Sequence, residues 1–264
     1  FAKDQLQMRR DILNNTKTKA YRMDGGRAGH SHWMWYKNQN ELLHPSANEF
    51  SGALWAHVQG ITGKGSTIAI MERKGSVAYL EPEAKTKFLD VSPAGDDHAI
   101  HVADIVRQVA PDCHIQVWPV VTAFTQMNIY PIALNMSFSI LQPGKRIELA
   151  GKFIEGFRIF DSKTLFIAAA GNNGQTLSLE APQGQDPVAP VAYHFAKDDE
   201  FRKKLILVGA LTSDKKRFAE SSYPGVDRDI QNCFIWTLGE KVGGLIKKDI
   251  RTTESGTSLA APII

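Results

Sequence analysis

The sequence predicts a three-layer, doubly wound α/β fold with a mostly parallel central sheet, and three observations predict it. Short apolar, partly β-branched runs recur at 68–71, 165–170 and 205–210, as suits strands buried on both faces. Stretches with apolar residues at helical spacing lie between them, at 97–108 and 144–160. Strands alternating with helices make a parallel sheet covered on both sides. Finally, Glu72 directly follows the first run, at the strand's carboxyl end, where open α/β sheets place their chemistry.

Residues 1–50 are polar and rich in Lys, Arg, Asn and His, with aromatic residues bunched at Trp33, Trp35 and Tyr36. A helix over 4–19 fits there, and the segment reads as an N-terminal, surface-wrapping extension of a single domain over 51–264. His30, His32 and His44 lack the spacing of metal ligands. A short helix over 51–57 precedes the glycine-rich turn 60–65, which leads into the strand 68–71. Another strand fits 87–91 and a loop 92–95. The helix over 97–108 opens with acidic residues that suit its positive end, and Pro111 stops it. Strands are then expected at 114–120, 132–138, 165–170, 205–210 and 233–236, with an exposed loop at 181–190.

Bulk properties exclude several function classes. The formal charge of +3 is the difference of 31 basic and 28 acidic side chains spread along 264 residues, so nucleic acid has no electrostatic footprint to bind. The clusters at Lys203, Lys215 and Lys247 read as solvated faces. Two cysteines, Cys113 and Cys233, are too few for a disulfide scaffold and lack zinc spacing; one bridge is allowed, and two buried thiols are the preferred reading. There is no apolar run long enough to span a bilayer and no signal-like N-terminus. Because the chain starts at Phe1, upstream residues are expected to have been removed or not represented, and the compartment stays open.

Four motifs carry the chemistry, in this order: Gly63 to Thr67 leading into Ile68, Ala69, Ile70, Met71 and Glu72; Asp96-Asp97-His98-Ala99-Ile100-His101-Val102-Ala103; Phe166 to Gly174 with Asn172 in its middle; and Ser255-Gly256-Thr257-Ser258-Leu259-Ala260-Ala261-Pro262. Together, and in that order, they resemble the subtilisin-like serine proteases over roughly residues 55–264. The resemblance implies Ser258 as nucleophile at a helix start, His98 as general base and acid, Glu72 as the carboxylate orienting the imidazole, and Asn172 as oxyanion donor with the Ser258 N–H. It also implies a primary specificity pocket walled by Ala169, Ala170 and Gly171 on one side and by Ser137 and Phe138 on the other.

Several positions depart from the family. Glu72 stands where aspartate is usual, and one extra methylene moves the carboxylate by roughly a bond length, a displacement able to cost about a hundredfold in rate. Asp90 and Asp97 are the alternative carboxylates. Ala99 and Ile100 replace glycine and threonine beside the base, and Phe138 stands where a smaller residue or leucine is common. The chain between Val120 and Ala133 is too short for the family's usual helix there. Ser258 should open a long buried helix, yet only Leu259 to Ile264 follow; a C-terminal fragment or second chain is the expected completion, and the fold is expected to be C-terminally incomplete.

The reading is a serine endopeptidase acting on a polypeptide substrate. The alternative is a catalytically degenerate domain that binds peptide or protein. Retention of His98 sets the chain apart from the related sedolisins, which replace that base. No cofactor is implied, although family members often bind calcium, and no acidic loop here assigns it.

Overall fold

The computed structural model describes residues 51–72, 78–80, 97–119, 131–138, 152, 154–158, 163–178, 190–247 and 250–264. The expected N-terminal extension, the strand over 87–91, the shortened crossover after Val120 and nearly all of the loop over 181–190 lie outside these residues.

After helix α1 (Ala53–Val58) the chain turns through Gly63 into β1 (Thr67–Glu72). Gly63 has φ +78°, and a Cβ there would lie 2.9 Å from Ala110 Cβ, so both backbone conformation and close approach call for glycine. There follow β2 (Ala78–Leu80), α2 (Asp97–Val109), β3 (His114–Pro119), β4 (Ala133–Met136) and β5 (Leu165–Ala169). The rest is α3 (Pro190–Lys197), α4 (Asp199–Arg202), β6 (Leu205–Leu211), α5 (Arg228–Asn232), β7 (Phe234–Leu238), β8 (Val242–Lys247), β9 (Ile250–Glu254) and α6 (Thr257–Ala260), ending in a 3₁₀ turn at Ala261–Ile263.

The sheet runs β2-β3-β1-β4-β5-β6-β7. All of its pairings are parallel except that of β2, a three-residue antiparallel edge the sequence did not disclose. Strand order reverses beside β1, since β3 lies on one side of it and β4 on the other, which opens a crevice at their carboxyl ends.

Register sorts the sheet into two faces. One row joins Met71 to Trp118 and Met136, then Ala168 and Leu207. It packs in a core with Phe157, Phe166, Phe195 and Phe201, whose rings meet mostly edge-on, as at Phe157–Phe195, 5.1 Å between centroids and 73° apart. Asp198 caps α4 on this side by accepting from the N–H groups of Glu200 and Phe201. The opposite row joins Ile70 to Val117, Asn135 and Ile167. Against it lie α2 and the C-terminal turn, with Ile70, Ile100, Ile105, Leu259 and Ile263 in one apolar cluster.

Both cysteines are buried and unbridged, and burial pushes each thiol up to about 11, so both stay protonated at neutral pH. Three histidines, His57, His101 and His194, are held below their ordinary value, in each case chiefly by burial. The unfolded chain therefore binds protons at these sites before the folded one does. Stability is full above about pH 6.5, the unfolded histidine value, and falls as pH drops through the window beneath it. Denaturant midpoints measured from pH 7.5 to 5 should decline monotonically, and His101→Gln should flatten part of the decline. A flat midpoint across that range would refute the linkage.

Candidate active site

Glu72 closes β1 with its side chain 3% exposed. A carboxylate so removed from water needs a polar partner. It has one in His98, whose Nδ1 lies 2.9 Å from Glu72 Oε1. His98 occupies the first turn of α2, its side chain 35% exposed, so one ring edge meets the buried carboxylate while the ring stays open to the crevice. The longer glutamate side chain spans the gap. Asp97 is the neighbouring first residue of the same helix, and Asp90 lies outside the described residues.

Ser258 is delivered by a hairpin absent from the sequence reading. β8 and β9 pair antiparallel with a register shift between Leu245 and Lys247, and β9 feeds Gly256 and then α6. Gly256 N–H donates to Gly239 O at 2.7 Å, which pins the start of α6 to the end of β7. Gly239 can serve only as glycine, since a Cβ there would lie 2.4 Å from Ala210 Cβ. The N–H of Ser258, in the first turn, has no partner within its own helix. Leu259 packs in the same apolar cluster as Ala99, so residues adjoining His98 and Ser258 share one interior.

Asn172 stands on the loop leaving β5. Gly171 enters that loop at φ +97°, and a ladder with 219–223 clamps it: Gly174 N–H donates to Glu220 O at 2.7 Å, and Ser222 N–H to Gly171 O at 2.9 Å. The Asn172 amide is oriented by Thr257, whose N–H and hydroxyl donate to Oδ1 at 2.8 and 2.9 Å. Thr257 Oγ1 also accepts from Gly171 N–H at 3.0 Å. A Cβ placed on Gly256 would lie 3.1 Å from Asn172 Nδ2 and 3.5 Å from both Asn172 Oδ1 and Ser258 Oγ, so the Asn172 carboxamide and the Ser258 hydroxyl close around this glycine. Thr257 was missed from sequence, although it sits inside the serine motif.

The residues expected to wall a specificity pocket part company. Ala169 and Gly171 are partly exposed, but Ala170 has no accessible surface: it shares the face of Ala168 and is packed in the phenylalanine core. Phe138 also packs against that core, partly buried. Ser137 is 6% exposed, and its hydroxyl lies 2.9 Å from Ser258 O, so it braces the serine turn from beneath. Strand β4 ends at Met136, short of the expected 138, which releases Ser137 from the ladder for this contact.

Among the described residues no group of three or more His, Cys, Asp or Glu side chains could hold a metal ion, and no helix is long and apolar enough to cross a membrane. No protein-family model and no curated protein matches the sequence. Solved structures do resemble the fold. The patellamide maturation protease PatG is 16% identical with a TM-score of 0.52 over 84% of this chain and 80% of that one. The prenylagaramide maturation protease PagA is 20% identical with a TM-score of 0.50 over 81% and 76%. A serine protease of Aeromonas sobria, in complex with its chaperone, is 16% identical with a TM-score of 0.52 over 79% of this chain and 47% of that one. The chain therefore has the subtilisin-like, doubly wound α/β fold that the order of its motifs implied.

Proposed function

We propose that the protein is a serine endopeptidase in which Ser258, His98 and Glu72 form the triad and Asn172 with the Ser258 N–H forms the oxyanion hole. The observation that carries this reading is the 2.9 Å bond from His98 Nδ1 to a carboxylate with almost no other access to water. With its proton on Nδ1, facing Glu72, the neutral ring is basic at Nε2. That nitrogen takes the Ser258 proton as Oγ attacks the peptide carbonyl, then returns it to the leaving amine. Glu72 offsets the imidazolium charge in between. Asn172 Nδ2 and the Ser258 N–H donate to the oxygen as it becomes negative. Water then releases the acyl group from Ser258. An extended polypeptide suits a crevice lined by strand ends, and PatG, of the same fold, has been captured as a macrocyclase in complex with peptide.

A fluorophosphonate probe tests the reading directly. Ser258 should be modified, as mapped by mass spectrometry, and His98→Ala should abolish the modification while leaving the fold intact. A folded protein that resists the probe would favour the degenerate, peptide-binding alternative.

A further inference from the structure

The carbonyl of Ser258 has an unusual need. Within a helix it would accept from the N–H four residues on, but that residue is Pro262, which has none. The nearer N–H, that of Ala261, is given to Thr257 O. This partly buried carbonyl takes its donor from elsewhere, and Ser137 Oγ is there at 2.9 Å. The same hydroxyl lies 2.8 Å from Asn135 Oδ1, while Asn135 Nδ2, on a side chain 2% exposed, finds no acceptor among the described residues. One hydroxyl proton cannot serve two carbonyl oxygens. Exchanging the ends of the Asn135 carboxamide, groups of nearly equal size, resolves the conflict. Its NH₂ then donates to Ser137 Oγ, whose proton is left for Ser258 O. The atom left unpaired becomes a carbonyl oxygen, which proteins tolerate better than an orphaned N–H.

We propose that Asn135 is a positioning residue that works by donation: through Ser137 it aims a proton at the Ser258 carbonyl and so fixes the turn presenting the Ser258 hydroxyl and N–H. Only the kinetic readout of this proposal rests on the peptidase reading. Directed hydrogen bonds in series reinforce one another in a buried setting, and a reversed one breaks the chain.

The test uses proton direction. In Asn135→Asp the shape is kept: ionised, at high pH, the carboxylate can only accept and draws the Ser137 proton away from Ser258, whereas protonated, at low pH, it can donate as asparagine does. Fluorophosphonate labelling of Ser258 should slow by about tenfold or more, the rate equivalent of one unmade buried hydrogen bond, as it should in Ser137→Ala. Asn135→Ala removes the donation but leaves the Ser137 proton uncontested, so labelling should slow measurably and by less than in Asn135→Asp. A purely structural role predicts the reverse order, with Asn135→Asp nearly normal and Asn135→Ala impaired, and that result would overturn the proposal. If Asn135→Asp does not fold, the carbonyl resonance of Ser258 decides alone: it should move upfield in Ser137→Ala, and an unmoved resonance there, meaning that the Ser137 proton goes to Asn135, would overturn the proposal. A second readout is independent of activity: in protein labelled with carbonyl-¹³C serine and ¹⁵N leucine, only the Ser178–Leu179 and Ser258–Leu259 pairs give carbonyl-to-amide signals. The Ser258 carbonyl should move upfield together in Asn135→Asp and Ser137→Ala, and stay in place in Asn135→Ala. An unlabelled parent protein would count against the peptidase reading, while the carbonyl shifts would still decide this one.

Discussion

Replacing Glu72 with glutamine is expected to slow acylation of Ser258 by about 10⁴-fold with little change in stability. The argument is electrostatic. Glu72 is 3% exposed, so its charge is poorly screened, and in the proposed mechanism it faces, 2.9 Å away, a ring that becomes cationic only as the reaction proceeds. Glutamine keeps the volume and a bonding group but loses the charge opposite the imidazolium. Its amide can also donate to Nδ1 and hold the ring in the unreactive tautomer. The check is the second-order rate of fluorophosphonate labelling, with thermal unfolding as control. A loss smaller than about tenfold would mean that the carboxylate does not assist the base. Glu72→Asp should also be slower, by about a hundredfold, because shortening the side chain draws the carboxylate back from a bond that glutamate now makes at normal length.

The second large effect is expected at Asn172. Asn172→Ala should reduce kcat toward a peptide by about 10²- to 10³-fold, near 3 kcal/mol of transition-state stabilisation, with KM almost unchanged. In the proposed mechanism the amide meets the oxygen only when it carries negative charge, so ground-state binding is spared. Alanine also strands the Thr257 N–H and hydroxyl, both of which now donate to Oδ1. Asn172→Asp supplies the control, since it retains an acceptor for Thr257 and removes the donor. Both variants should lose kcat, aspartate at least as severely because its charge repels the oxyanion. Full activity in Asn172→Asp would remove Asn172 from the oxyanion hole.

What could be read from sequence follows from how local each signal is. Strands β1, β3, β5 and β6 and helix α2 announce themselves because buried parallel strands are continuous apolar runs and α2 keeps a clean helical period over thirteen residues. The β8–β9 hairpin escaped because Gly243, Gly244 and the charges at Lys247, Lys248 and Asp249 interrupt any alternation. Helices α4 and α5, of four and five residues, are too short to show a period. Motif order along the chain picked out Glu72, His98, Asn172 and Ser258 as candidates, and the structure places Glu72 against His98 and Asn172 beside the turn that bears Ser258. The bracing by Ser137 was not legible: its contact with Ser258 spans 121 residues and arises from a missing N–H at Pro262. Ala170 was expected at a pocket wall, but strand alternation turns it to the same side as Ala168, into the core.

The strand order carries a consequence for the timing of maturation. Groups from residues 72, 98, 172 and 258 meet only when distant segments have closed into one sheet, and such non-local closure is slow. The segment bearing Ser258 docks through Gly239 and Ser137, so it depends on ladders laid down by nearly every earlier strand. A half-assembled chain would thus lack the candidate site altogether, because the Ser258 segment has nothing to dock on until the earlier strands have paired.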